Sequence, residues 1–186
     1  MCCVELNGSV FEAEGFHGTS ALKVQEILNS GFEIVADQTL LLGDGAYFFI
    51  KGLSDPYQDA LDFATNVKKE KSPVVLKADI SAEADSVLDL SSLKGAALFN
   101  KFKERFFKKR VENNEKMGKD VDDGKIINCL VGEMGFKTKV VLSMRSVKLK
   151  KPWIDLNIHS LIPNCVFCCV KDKSCISNVQ LISSGG

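Results

Sequence analysis

The chain has 186 residues, with 24 lysines and arginines against 24 aspartates and glutamates, for a formal net charge of +0. That length fits one domain, residues 1–186, with room for a hydrophobic core, and the neutral total excludes binding to nucleic acid through overall charge; any such role needs a local patch. No apolar run approaches the ~18 residues of a bilayer span, and Met1-Cys2-Cys3-Val4-Glu5 has neither the basic nor the apolar region of a secretory signal, so neither membrane insertion nor export is expected.

Ser9–Phe11 and Gly15–Gly18 read as short strands. Thr19 or Ser20 is placed to cap a helix in which Leu22, Val24, Ile27 and Leu28 recur at helical spacing, and Gly31 stands where a glycine ends one. Ala46–Ile50, aromatic and aliphatic throughout, is the next strand. Asp55-Pro56 opens a second helix with Ala60, Phe63, Ala64 and Val67 on one face. Pro73–Ile80 alternates Val74, Leu76, Ala78 and Ile80 as a strand does, and Val87–Leu90 is short and apolar. Ser91–Met117 predicts a long helix with a stripe of Leu98, Phe102 and Phe106 among many lysines, and Asp122–Gly135 predicts another. Strands follow at Lys139–Met144, Cys165–Lys171 and Asn178–Ser183. Asp120–Gly124 (DVDDG) lacks the alternate acids and closing glutamate of a calcium loop. Helices in the middle and strands at both ends predict an α+β fold whose terminal strands share one core.

Four of the seven cysteines, Cys165, Cys168, Cys169 and Cys175, crowd one segment. A secreted scaffold would space them across loops. In a strand, Cys165 and Cys168 point to opposite sides, which suits packed free thiols in a reducing, cytoplasmic setting better than a tetrahedral metal site.

Phe16-His17-Gly18-Thr19, a helix of about a dozen residues ending at Gly31-Phe32, then Gly43-Asp44-Gly45-Ala46-Tyr47-Phe48-Phe49, and a helix carrying Ala60 and Phe63-Ala64 occur in that order. This succession resembles the ADP-ribosyltransferases of the diphtheria-toxin and poly(ADP-ribose) polymerase branch. The later segments SPVVLKADI, VLDL, the long basic helix and CCVKDKSCISNV are more loosely similar to a bacterial subgroup of that fold. The resemblance implies split central β-sheets flanked by helices, NAD as the substrate, no metal, and transfer of ADP-ribose to a macromolecule. It further implies a toxin or phage-defence effector, which could have an antitoxin or immunity partner.

The resemblance also assigns residues. His17 and Tyr47 are the expected catalytic pair, with His17 on the ribose hydroxyls and Tyr47 stacked on the nicotinamide. The backbone of Gly18 would hold the carboxamide, where no Cβ blocks approach, and Thr19 would add a polar contact. Gly43 and Gly45 would turn the loop onto the Tyr47 strand. Phe48 counts among the cofactor-binding residues, and Phe63 would supply a second aromatic wall. Most of the catalysis would be positioning and strain of a bound dinucleotide.

One signature departs from the family. A glutamate near the start of a late strand contacts the ribose and stabilises the developing cation. Aligning Val170-x-Asp172-x-x-x-Ile176 puts Phe167 in its place. Three readings follow: transfer of a single unit without elongation; a carboxylate from elsewhere, with Glu133 as candidate; or a module that binds NAD or ADP-ribose without chemistry. An RNA 2′-phosphotransferase shares the fold and an early His-Gly-Thr, but it expects arginines around a phosphate that have no counterpart here.

Two segments are basic despite the neutral total. Lys101–Arg110 has six positive residues to one glutamate, interleaved with phenylalanines, and residues 137–153 hold Lys137, Lys139, Arg145, Lys148, Lys150 and Lys151 with one tryptophan at the end, Trp153. Such patches suit phosphates and base stacking, hence an RNA or DNA acceptor, or an acidic protein. The alternative is an amphipathic helix with a solvated face, followed by a strand and loop.

Overall fold

The computed structural model describes residues 9–34, 41–114, 122–133, 137–157 and 160–182. In chain order the elements are β1 (Val10–Ser20), α1 (Ala21–Ser30), β2 (Ala46–Ile50), α2 (Pro56–Asp62, running into a π-helical turn at Phe63–Val67), β3 (Pro73–Glu83), β4 (Val87–Asp89), α3 (Leu93–Glu112), α4 (Asp123–Glu133), β5 (Val140–Arg145), α5 (Lys151–Asp155), β6 (Cys165–Val170) and β7 (Ile176–Ile182). The fold is α+β. Residues 115–117, 134–135 and 183, at the predicted ends of two helices and the last strand, lie outside the described residues, as do Asp120 and Val121 of the DVDDG run.

The strands form one mixed seven-stranded sheet in the order β4-β5-β6-β2-β1-β3-β7. Among the described strands only β4 and β5 run parallel, and the long crossover between them carries α3 and α4. The expectation of split sheets is therefore corrected to a continuous ladder, but the ladder is thin at its centre. β1 pairs β3 from Val10↔Glu83 to Ser20↔Pro73, whereas β1 meets β2 only at Gly15↔Ile50 and Phe16↔Phe49. Continued, that register would set Gly18 opposite Tyr47; instead the two strands part after Phe16.

Each face of the sheet carries its own core. On one, Phe11, Phe48, Ile50, Leu76, Ile80, Leu142, Val166, Cys168 and Val170 pack with Val24 of α1 and with Phe32. On the other, Phe49, Val75, Val141, Cys165, Phe167 and Cys169 pack under α2, α3 and α4 through Ala60, Phe99, Phe102, Phe106, Ile126, Ile127 and Leu130. Strand alternation thus sends Cys165 and Cys168 to opposite cores, as their spacing requires.

Several local expectations change. The two short N-terminal strands are one strand of eleven residues, because β3 offers it an uninterrupted partner. α1 buries Val24, while Leu22 is 92% exposed and Leu28 41%. Val67 is exposed because the π turn shifts it off the apolar face. In α3 the buried stripe is Phe99, Phe102 and Phe106, and Leu98 lies at its edge. The phenylalanines between the α3 lysines are therefore core, and the charges are its solvated face. α5, where the loop after the Lys139–Met144 strand was expected, has Pro152 in its first turn. No helix among the described residues is long and apolar enough to cross a membrane.

Candidate functional site

Where β1 and β2 part, a cavity of about 300 Å³ opens between them. Its floor is the ends of the two strands: His17, Gly18 and Thr19 from β1; Gly45, Ala46, Tyr47 and Phe49 from β2. Phe63 and Phe167 add two more rings, the buried Phe32 and half-buried Ile27 line it beside His17, and the exposed Lys23, Glu33, Leu41 and Lys68 form the mouth. Its size is at the lower end for small-molecule sites. A broader groove of about 730 Å³ over Ser30, Ile34, Lys171, Asp172 and Lys173 is open and mixes acids with lysines. The convergence of rings and polar groups is in the smaller one.

His17 spans the gap. Its Nδ1–H donates to the Tyr47 carbonyl at 2.7 Å, standing in for the ladder bond that the parted strands no longer make. Since a carbonyl only accepts, Nδ1 carries the proton and the neutral ring leaves Nε2 as an acceptor. Edge contacts to Phe32 and Phe48 fix the ring plane. Burial, then the Lys68 charge, and last that of Lys23, lower the imidazole to about 4, against the Tyr47 carbonyl, which favours the charged form.

This has a measurable consequence. An unfolded histidine titrates near 6.5, so between about pH 6.5 and about pH 4 the unfolded chain binds a proton that the folded one refuses. His17 therefore withdraws stability as pH falls through that window, by at most about 3 kcal/mol. His17→Asn keeps an N–H near Nδ1 and removes the titration. Its unfolding free energy is expected to drop about 2 kcal/mol less than that of the parent between pH 7 and about pH 4.5 by denaturant titration. Equal drops would mean that the imidazole is not held neutral.

Tyr47 contributes its ring. The hydroxyl donates to the Gly43 carbonyl at 2.6 Å and accepts from the Leu42 amide at 2.9 Å. With both roles taken and burial raising its pKa far above the ordinary phenol value, it is neither an acid nor a base for a substrate. The ring meets Phe167 edge-on at 6.1 Å; Phe167 lies 4.7 Å from Phe49, and Phe49 5.7 Å from Phe63, centroid to centroid. Four rings thus make a continuous aromatic wall. Phe48, by alternation, points the other way; it is fully buried and backs His17 without lining the cavity.

The loop before Tyr47 is clamped from beneath. Gly43 has φ +75°, and a Cβ there would lie 2.1 Å from Asn128 Oδ1, which itself accepts from the Asp44 amide at 2.8 Å. Gly43 is thus a docking residue for α4, outside the cavity lining, whereas Gly45 lies at the floor. Lys171 was not singled out by sequence. Its Nζ donates to the Leu42 carbonyl at 2.6 Å and the Asp44 carbonyl at 2.5 Å, and burial lowers its pKa. The sequence signal was a lysine two residues after Cys169, on the same strand face.

Gly18 is a glycine for a different reason from the one the motif implies. A Cβ at Gly18 would lie 1.9 Å from the Ala60 carbonyl oxygen, so its absence lets α2 cross β1. Its own carbonyl accepts from Lys68 Nζ at 3.1 Å. Thr19 is buried and reaches the lining. Glu33 is the acid among the described lining residues. Glu133 ends α4, but its side chain lies outside the described residues. Among the described residues no cluster of metal-binding side chains occurs.

No protein-family model and no curated protein sequence matches this chain.

Proposed function

We propose that this chain is a mono-ADP-ribosyltransferase that takes ADP-ribose from NAD and gives it to a macromolecular acceptor. One observation carries the reading: His17-Gly18-Thr19 and Gly45-Ala46-Tyr47, separate in sequence, line one cavity whose wall is Tyr47, Phe49, Phe63 and Phe167. A flat, cationic nicotinamide ring suits such a wall. A neutral His17, whose Nε2 takes no hydrogen bond among the described residues, suits a ribose hydroxyl donor. The aromatic wall excludes water from the bond that breaks and leaves positioning as the main source of rate.

Phe167 brings no carboxylate to the wall, so the chemistry would be limited to a single transfer, with the acceptor supplying its own nucleophile. The same residue favours the second reading, a module that binds NAD or ADP-ribose without cleaving it. For the acceptor, the exposed Lys101, Arg105 and Lys108 of α3 and the segment around Lys150 and Trp153, whose charge and ring are 5.6 Å apart, form the basic surfaces. RNA is the acceptor we favour for them.

The test is incubation with adenylate-labelled NAD in cell extract. Transfer predicts nicotinamide release with label on a macromolecule; label that resists protease and yields to nuclease identifies a nucleic acid. Nicotinamide release with no labelled macromolecule would indicate a glycohydrolase. Saturable NAD binding without release would establish the binding module and overturn the transferase.

A further inference from the structure

The mouth of the cavity holds two ammonium groups whose role the aromatic wall does not explain. Lys68 follows the π turn. In an α-helix a residue five positions on is rotated well away from its starting face, but an i→i+5 bond closes the turn at that spacing. The Lys68 amide donates to the Phe63 carbonyl at 2.9 Å. The wide turn therefore stacks Lys68 over Phe63, and both face the cavity. Nζ lies 5.6 Å from the Phe63 ring centroid and 3.1 Å from the Gly18 carbonyl oxygen.

Lys23, in the first turn of α1, faces the same mouth. That turn has no acidic residue and no side-chain cap, so the positive end of the helix adds to the lysine. Partial burial, and then the charge of Lys23, lower the Lys68 pKa, while Glu70 acts in the opposite sense. Glu33 also lies on the rim. Among the described residues neither lysine has a carboxylate within ion-pair distance. What Lys68 holds is a neutral carbonyl.

We propose that Lys23 and Lys68 form a phosphate site at the mouth of the cavity, and that Lys68 fills it by leaving the Gly18 carbonyl when a ligand enters. A phosphate oxygen is a stronger acceptor for an ammonium than a carbonyl is. The vacated carbonyl then accepts from an amide N–H on the ring against the wall. The exchange makes Lys68 a specificity-determining residue. A ligand with both a ring amide and a phosphate gains at both ends, whereas a free ring amide must displace Lys68 with nothing offered in return. The identity of the ring rests on the dinucleotide reading above, and the phosphate site is tested separately from it.

The experiment is calorimetric titration of nicotinamide, ADP and NAD into the full chain, its Lys68→Met variant and its Lys23→Met variant, with thermal unfolding to verify that all three are folded. Lys68→Met is expected to bind nicotinamide about threefold or more tightly and ADP at least tenfold more weakly. Lys23→Met is expected to weaken ADP alone. A packing role for Lys68 would move both ligands the same way, and that result, or ADP binding unchanged in both variants, overturns the proposal. So does absence of ADP binding to the parent at millimolar concentration. If the parent binds ADP with both lysines required but binds neither nicotinamide nor NAD, the phosphate site stands and the NAD reading falls.

Discussion

Tyr47→Ala is expected to cut NAD affinity or turnover on the order of 100-fold, while Cys168→Ala changes either by less than about threefold. The ring is the face of the wall at the strand gap, and its removal forfeits a stacking surface with its buried area, together about 3 kcal/mol. It also frees the Leu42 amide and Gly43 carbonyl that the hydroxyl ties together. Cys168 lies two strand positions from Cys165's neighbour Val166, fully buried, outside the cavity lining and in the core opposite the Tyr47–Phe167 wall. Its truncation costs on the order of 1 kcal/mol of stability and leaves the wall untouched. Tyr47→Phe separates the two parts: the wall persists, and only the clamp on the 42–45 loop is lost, for an intermediate effect of about tenfold. NAD titration and nicotinamide release measure all three. Equal losses for Tyr47→Ala and Cys168→Ala would remove the cavity as the site.

Gly18→Ala is expected to destabilise the fold by about 3–5 kcal/mol, a large share of the ~5–15 kcal/mol typical of a folded domain. The new methyl would lie 1.9 Å from the Ala60 carbonyl oxygen and 3.0 Å from the Ala64 methyl. Both belong to the segment that carries Phe63 and Lys68. Neither backbone yields easily, since β1 is paired with β3 at Gly18↔Val75 and α2 with its π turn is seated on the sheet through the fully buried Ala60 and Ala64. Denaturant unfolding reads the loss directly. Gly31→Ala serves as contrast: nothing lies within 4 Å of a Cβ there, and only its φ of +77° opposes the change. A Gly18→Ala protein as stable as the Gly31→Ala one would mean that α2 does not cross β1 so closely.

Much of the element order was legible because its signals are local. Pro56 after Asp55 starts α2, and Asp55 caps it as its side chain chemistry dictates. The alternation in Pro73–Ile80 is a strand, and CVFCCV, apolar at every position, is the strand buried on both faces. Periodicity was less informative about which helix face is buried. Leu22 and Leu98 fit a helical stripe as well as Val24 and Phe99 do; the choice depends on where the sheet lies beneath.

The residue types at the cavity were visible in the same way: a histidine between Phe16 and Gly18, a Gly-Asp-Gly turn, a run of aromatic residues, and a phenylalanine where a carboxylate was sought. Their roles were not. That Phe48 supports His17 from behind, that Gly18 makes room for a helix, and that Lys171 holds the Tyr47 loop from below are contacts between segments 30 to 130 positions apart in the chain.

Local sequence determined the α+β class, the strand and helix signals and the chemistry available near His17 and Tyr47, since propensity, capping and alternation act over a few residues. Tertiary structure alone decided that β1 and β2 separate after two pairs, that a histidine side chain bridges the gap, and that a π turn brings Lys68 over Phe63. Those features arise from strand register and helix docking, which depend on how distant surfaces fill space together.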